Sequence, residues 1–181
     1  MGAFDYLFTF YGLLLGIAVA NVAIGFADMW RDHQRIEVGS CPPLLATIVL
    51  LGCMNVWLTL WHIHMDATLS GVQMLVAAAI ALPYVFVSRA MFPGVVNRPE
   101  SSLEAHYLKN RVLILGMLAV PAIASAAAKL FLDRVSDHGW ELAWIGVRIA
   151  MPLLLLPLAS RVAQRWGLMT FIAVEVVGLF R

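Results

Sequence analysis

Charged residues are scarce in this sequence: Asp, Glu, Lys and Arg make up 13% of its 181 residues, whereas soluble domains average about 25%. Only two cysteines are present, which excludes a disulfide-stapled secreted scaffold. Cys41 and Cys53 lie too far apart along a helix to bridge, so we expect two free thiols. The 13 glycines and 8 prolines are too few for a collagen-like or low-complexity chain.

Hydrophobic residues are correspondingly abundant: they make up 62% of the chain, against about 45–50% in soluble domains. Three stretches, 6–27, 38–65 and 67–88, contain no Asp, Glu, Lys or Arg. Each is longer than the roughly 20 apolar residues that a helix needs to cross a bilayer. The sequence therefore indicates an integral membrane protein, with the lipid bilayer as its first partner.

Apolar runs bounded by charge, proline or glycine predict an all-α bundle of about six transmembrane helices in a single domain, residues 1–181. The predicted helices are 4–27, 43–64, 71–91, 103–132, 140–158 and 160–180. Arg148 and Glu175 interrupt the last two of them. A bundle of five spans is therefore the alternative.

The basic residues orient this bundle. Eight of them fall on one side of the predicted spans and three on the other, and the richer side is expected in the cytoplasm. Both termini would then face outward. The cytoplasmic group is Arg31, Arg35, Arg89, Arg98, Lys109, Arg111, Arg161 and Arg165, and the outer group is Lys129, Arg134 and Arg181.

Small residues four positions apart, Gly12, Gly16 and Ala20, lie on one face of the first helix. Such a face lets a second helix approach closely, so it predicts a tight helix contact, within the bundle or with another subunit. Polar side chains inside apolar spans need partners. We therefore expect interhelical hydrogen bonds from Asn21 and Asn55, together with Thr47 and Thr59.

Arg148 and Glu175 are the most informative pair, because an ionisable residue inside a span is costly. At about 1.5 Å per residue, Arg148 lies about 12 Å and Glu175 about 9 Å below the outer ends of their helices. Adjacent antiparallel helices would bring them together. The pair predicts either a buried ion pair that docks the two helices or part of an ion, proton or solute pathway.

Histidine and aspartate cluster at the outer end of the second helix. His62 and Asp66 are four apart and share a helix face, which suits two ligands of a divalent metal, whereas His64 points elsewhere. Metal or haem binding is therefore an alternative at this end, although the expected cofactor is none. Interfacial histidines beside tryptophans need no ligand.

Three segments resemble a group of small multi-span bacterial membrane proteins of unknown function. They are the opening Phe4-Asp5-Tyr6 that leads to Leu15-Gly16-Ile17-Ala18, the segment 56–61 with Trp57 and Trp61, and Tyr107-Leu108-Lys109-Asn110-Arg111. The resemblance implies a bacterial inner-membrane location. It brings no activity and no site residues.

Motifs for other chemistries are absent from the sequence: it contains no GxSxG, Walker loop, GxGxxG or HExxH pattern. A net charge of +1 without a basic block makes nucleic acid an unexpected partner. We expect a non-enzymatic bundle that assembles with itself or as an accessory subunit of a larger membrane complex. The alternatives are a small channel or transporter that uses Arg148 and Glu175, and a metal- or haem-binding protein.

Overall fold

The computed structural model describes residues 3–31, 37–62, 71–92, 102–131 and 139–180. This described part of the chain is helical and contains no strand, which confirms the predicted all-α fold. Its helices are α1 (Ala3–Arg31), α2 (Cys41–His62), α3 (Gly71–Ala90), α4 (Leu103–Phe131), α5 (Gly139–Leu155) and α6 (Arg161–Leu179).

Five of these helices are long and apolar enough to cross a membrane, namely α1, α2, α3, α4 and α6. The fifth, α5, is shorter, with 17 residues. It ends three residues before the predicted position, because proline disfavours helical backbone in the residue before it and Leu156 precedes Pro157. The first helix instead runs on to Arg31, where an ion pair between Asp28 and Arg31 joins successive turns at 3.0 Å.

Helix α2 lies at the centre of the bundle. It packs mainly against α6 and also contacts α1, α3 and α4, while α1 packs on α3, α3 on α4 and α4 on α5. Half of the residues in its most apolar stretch are buried, a larger share than in any other candidate span of the described chain. This fits a helix that is apolar around its whole circumference. Its buried side chains include Leu45, Ile48 and Val49.

One end of α2 is fixed to the start of α4. The backbone N–H of Leu103 donates to the carbonyl of Glu37 at 3.0 Å, and the N–H of Ser40 donates to the Glu104 carboxylate at 3.2 Å. Gly39 has a φ of 69°, a left-handed conformation that glycine adopts at little cost. The turn therefore brings the Glu104 carboxylate to the N-terminus of α2, where the helix dipole favours negative charge.

Candidate functional site

Arg148 on α5 and Glu175 on α6 face each other inside the bundle. The Nε of Arg148 donates to Glu175 Oε1 at 3.1 Å, and Nη2 donates to Oε2 at 3.1 Å. The closest approach between the two side chains is 3.0 Å. The structure thus brings the two predicted charges into a two-pronged contact, the geometry that makes Arg–carboxylate pairs strong.

Asn55 on α2 also binds this carboxylate. Its amide Nδ2 donates to Glu175 Oε2 at 2.6 Å and to the Glu175 backbone carbonyl at 3.0 Å. Both Asn55 and Glu175 are buried. Each carboxylate oxygen of Glu175 therefore accepts at least one hydrogen bond from a neighbouring helix, which offsets the cost of removing the charge from water.

Tyr84 on α3 completes the cluster, and its hydroxyl interacts with the Arg148 guanidinium. The ring lies on Gly52 of α2, where an added Cβ would come within 2.5 Å of Tyr84 Cε1. Tyr84, Arg148 and Glu175 line a cavity of about 10 Å³, close to the smallest volume that holds one water molecule. Sequence reasoning missed Tyr84, because nothing in its spacing links it to α5.

This central cluster, Asn55, Tyr84, Arg148 and Glu175, joins α2, α3, α5 and α6. Its formal charges cancel, and the Glu175 side chain is 3% exposed against 22% for Arg148. A carboxylate that is neutralised and hydrogen-bonded from two sides has little capacity left for a further ligand. The geometry is that of a polar clamp between helices, with one narrow space beside it.

Within the described ranges, the small-residue face of α1 is covered at one point, Gly12. At Gly12 an added Cβ would lie 3.1 Å from the Trp57 ring of α2, so the helices are close there. At Gly16 an added Cβ would meet no atom within 4 Å, and Ala20 is exposed. Among the described residues, the predicted tight contact is therefore present at Gly12, and at Gly16 and Ala20 it stays a prediction.

A groove of about 420 Å³ runs along this uncovered face. It lies between α1 and α2 and is lined mostly by apolar atoms, including those of Leu15, Gly16, Cys53 and Met54. Trp57 packs against Phe8, with ring centroids 4.4 Å apart, and lines one part of the groove. The groove opens to the surface of the bundle.

Of the polar residues expected to bond between helices, the two asparagines do so. Asn21 on α1 donates to the Ser88 hydroxyl on α3 at 3.2 Å, and Asn55 binds Glu175 as described. Thr47 and Thr59 instead donate to the carbonyls of Pro43 and Asn55, four residues earlier in their own helix. The expectation for the threonines is wrong, because a helical threonine hydroxyl reaches this carbonyl without any partner helix.

A second polar connection, which the sequence did not predict, joins α4 to the turn between α5 and α6. Gln164 is fully buried; its side chain accepts a hydrogen bond from the Tyr107 hydroxyl at 2.6 Å. Its amide donates to the carbonyls of Leu155 and Leu158 at 2.7 and 2.6 Å. Gln164 therefore satisfies the Leu158 carbonyl in the turn and adds a second donor to the Leu155 carbonyl, which also accepts from the Leu158 N–H at 3.2 Å. The available signal in the sequence was a glutamine near the start of an apolar helix.

The two cysteines are free and buried, as expected. Cys41 donates a weak hydrogen bond from its thiol to the Glu104 carboxylate at 3.7 Å. Cys53 lies on α2 beside the groove.

The predicted metal ligands are not tested by the structure. His64 and Asp66 lie outside the described residues, as does the side chain of His62. Within the described ranges, no three His, Cys, Asp or Glu side chains converge in a way that would hold a metal ion.

Comparison with known proteins adds no relative: the chain matches no family model, and no curated protein or solved structure is significantly similar to it.

Proposed function

We propose that this protein is a non-enzymatic helical bundle of the bacterial inner membrane that works by assembling with a second transmembrane segment, in the first instance another copy of itself. The observation that carries the proposal is Gly16. It belongs to a face of small residues suited to close helix contact, yet no helix in the described part of the chain covers it.

The contrast between two glycines on the same face supports this assignment. The Trp57 ring covers Gly12, whereas the space over Gly16, one turn further along α1, is open to the groove. Lipid chains give helices no hydrophobic reason to associate, so close backbone approach at small residues is a main source of helix affinity in a membrane. A two-fold axis would set the same face of two α1 helices against each other.

The central cluster supports a role in docking rather than in chemistry. Arg148 and Asn55 donate hydrogen bonds to the two oxygens of the Glu175 carboxylate, so the charge is held in place by the bundle's own helices. This arrangement fixes how α5 and α6 sit against α2.

We further infer that α5 is the sixth span and that both termini lie outside. At 17 residues α5 is about 25 Å long, somewhat shorter than the roughly 30 Å hydrocarbon core. A short helix can still cross when its flanks snorkel or the bilayer thins. The pairing of Arg148 with Glu175 supports this by removing the largest cost of placing α5 in lipid.

The test of self-assembly is the variant Gly16→Leu. A leucine side chain would fill the groove and overpack the contact, at a cost of about 1–3 kcal/mol, which corresponds to roughly 5- to 150-fold weaker association. Energy transfer between donor- and acceptor-labelled copies in liposomes, measured over a range of protein-to-lipid ratios, reports the association constant.

Gly146→Leu is the matched control. Gly146 is also an exposed helical glycine with no atom within 4 Å of an added Cβ, but it lies on α5, away from the proposed face. We expect it to leave association unchanged. Equal association constants for wild type, Gly16→Leu and Gly146→Leu would refute the proposal.

Cross-linking separates a second copy from a different partner. Ala20→Cys places an exposed thiol on the proposed face, whereas the native thiols of Cys41 and Cys53 are buried. Oxidation in membranes should give a disulfide-linked dimer with Ala20→Cys but not with Ala150→Cys, an exposed alanine on α5. Cross-linking of Ala20→Cys to another protein instead would assign the face to a different subunit.

A small channel or transporter is the second candidate, and the cavity beside Tyr84, Arg148 and Glu175 favours it. Ionisable residues inside a span commonly mark ion or proton pathways. This reading predicts a pH-dependent flux in liposomes that Glu175→Gln abolishes while the dimer stays intact. Loss of flux in Gly16→Leu instead would tie transport to assembly.

A further inference from the structure

Two arginines at the start of α6 project from the bundle and form no ion pair with another described residue. Arg161 and Arg165 are both exposed and stand four residues apart, so they share a helix face. The ion pairs of the described chain join Asp28 to Arg31 and Arg148 to Glu175, and neither includes these two guanidinium groups. Among the described residues, these two neighbouring positive charges therefore have no counter-charge in an ion pair.

The nearby carboxylate of Glu104 is already engaged. It and Arg161 both lie close enough to Cys41 to interact with it electrostatically. However, Glu104 accepts hydrogen bonds from the Ser40 N–H and the Cys41 thiol. The exposed side of the arginine pair is left facing outward from the bundle.

The position of the pair along α6 sets its depth. The helix has 19 residues and is about 28 Å long, close to the thickness of the hydrocarbon core. Arg161 thus lies at one membrane boundary, and Arg165 about 6 Å below it. The long arginine side chain can extend to the headgroup level while its stem stays among the acyl chains.

Apolar side chains continue the same outward surface below the arginines. Val162 is 65% and Trp166 66% exposed, and both stand next to the arginine pair on the helix. Further along the outward side, Ala173 and Val177 are exposed as well. The helix therefore presents positive charge at the headgroup level, an aromatic ring beneath it and an apolar strip along its length.

We propose that this face of α6 binds an anionic phospholipid, with Arg161 and Arg165 holding the headgroup phosphate and Val162 and Trp166 covering the upper acyl chains. Charge complementarity selects an anionic over a zwitterionic headgroup. The apolar strip selects a lipid over a free phosphate ion, since a free ion gains nothing from it. This site lies on a different helix from the groove proposed for assembly and is independent of it.

The experiment counts bound lipids on the purified full-length protein by native mass spectrometry. The protein is equilibrated with equal amounts of phosphatidylglycerol and phosphatidylcholine that carry the same acyl chains. Wild type should retain phosphatidylglycerol preferentially. Each basic side chain near the membrane surface gives about a fivefold gain in affinity for anionic lipid, so Arg161→Gln with Arg165→Gln should weaken the preference by roughly 25-fold.

A second double variant, Arg31→Gln with Arg89→Gln, removes the same charge from the ends of α1 and α3 at the same end of the bundle. We expect it to keep the preference of wild type. An equal loss in both double variants would overturn the site, because net charge alone would then explain the selection. The conservative change of both arginines to lysine should retain most of the preference, whereas a loss as large as with glutamine would also count against a charge-based site.

Discussion

Replacing Arg148 and Glu175 singly and together gives the most direct measure of the central cluster. Glutamine matches the size of glutamate, so Glu175→Gln removes the charge with little change in packing. Its amide nitrogen would face the Arg148 guanidinium donor to donor, and the arginine charge would lose its partner. In Arg148→Gln, the buried carboxylate would keep only one of the hydrogen bonds described here, the one that Asn55 Nδ2 donates to Oε2.

The burial of the two side chains sets the order of the effects. Breaking a buried pair costs about 3–5 kcal/mol, whereas replacing both partners is often close to neutral. Arg148 is 22% exposed and can rehydrate in part, so Glu175→Gln should cost about 3 kcal/mol. Glu175 is 3% exposed and cannot be rehydrated when it loses Arg148, so Arg148→Gln should cost about 5 kcal/mol. The double variant should cost about 1 kcal/mol, less than either single change.

Reversible unfolding in mixed micelles with increasing SDS measures these free energies. The exposed pair of Asp28 and Arg31, with side chains 35% and 68% exposed, is the control. The cycle Asp28→Asn with Arg31→Gln should show a coupling of no more than about 0.5 kcal/mol. If the effects of Arg148→Gln and Glu175→Gln instead add within about 0.5 kcal/mol, the pair does not dock the helices and the reasoning fails.

Two further predictions concern topology and the second polar connection. A reporter fused after Arg181 should be active only outside the cytoplasm, because six spans and the basic asymmetry place that end outside; cytoplasmic activity would reject the orientation or the sixth span. Gln164→Leu should lower the free energy of unfolding by about 3 kcal/mol, since the Tyr107 hydroxyl and the Leu158 carbonyl lose the partner described for them and the Leu155 carbonyl loses one of its two donors. Thr170→Val, at an exposed site on the same helix, should change it by less than about 0.5 kcal/mol, and equal effects would show that Gln164 is dispensable.

The sequence predicted the helices, and it predicted that Arg148 and Glu175 could meet, because both expectations depend on local properties. Charge-free runs fix where a helix can span, and a constant rise per residue fixes how deep Arg148 and Glu175 lie. Charge also restricts the choice of partner: an unpaired charge in lipid is so costly that two at matching depth favour one another. The structure has this contact.

The remaining contacts depend on which helices become neighbours, and apolar sequences carry little information on that. Gly16 shows it most clearly. The spacing of small residues indicates that another helix can approach closely, but it does not indicate which helix does so. Here α2 contacts this face of α1 at Gly12 and does not reach Gly16. Tyr84 was missed for the same reason, and so was the contact of Gln164 with Tyr107, since Arg148 and Tyr107 lie on helices distant in sequence from these two residues.

The pairing of Arg148 with Glu175 has a consequence for how the chain enters the bilayer during synthesis. Arg148 lies near the centre of α5, and an arginine at the centre of a helix raises the apparent free energy of insertion by about 2.5–3.5 kcal/mol. Helix α6 has the lowest mean hydropathy of the candidate spans, 1.3. The connection from Leu155 to Arg161 is short, so the two charges can meet before either helix leaves the insertion machinery. The last two helices should therefore insert as a hairpin, and a chain truncated after α5 should leave that helix outside the membrane.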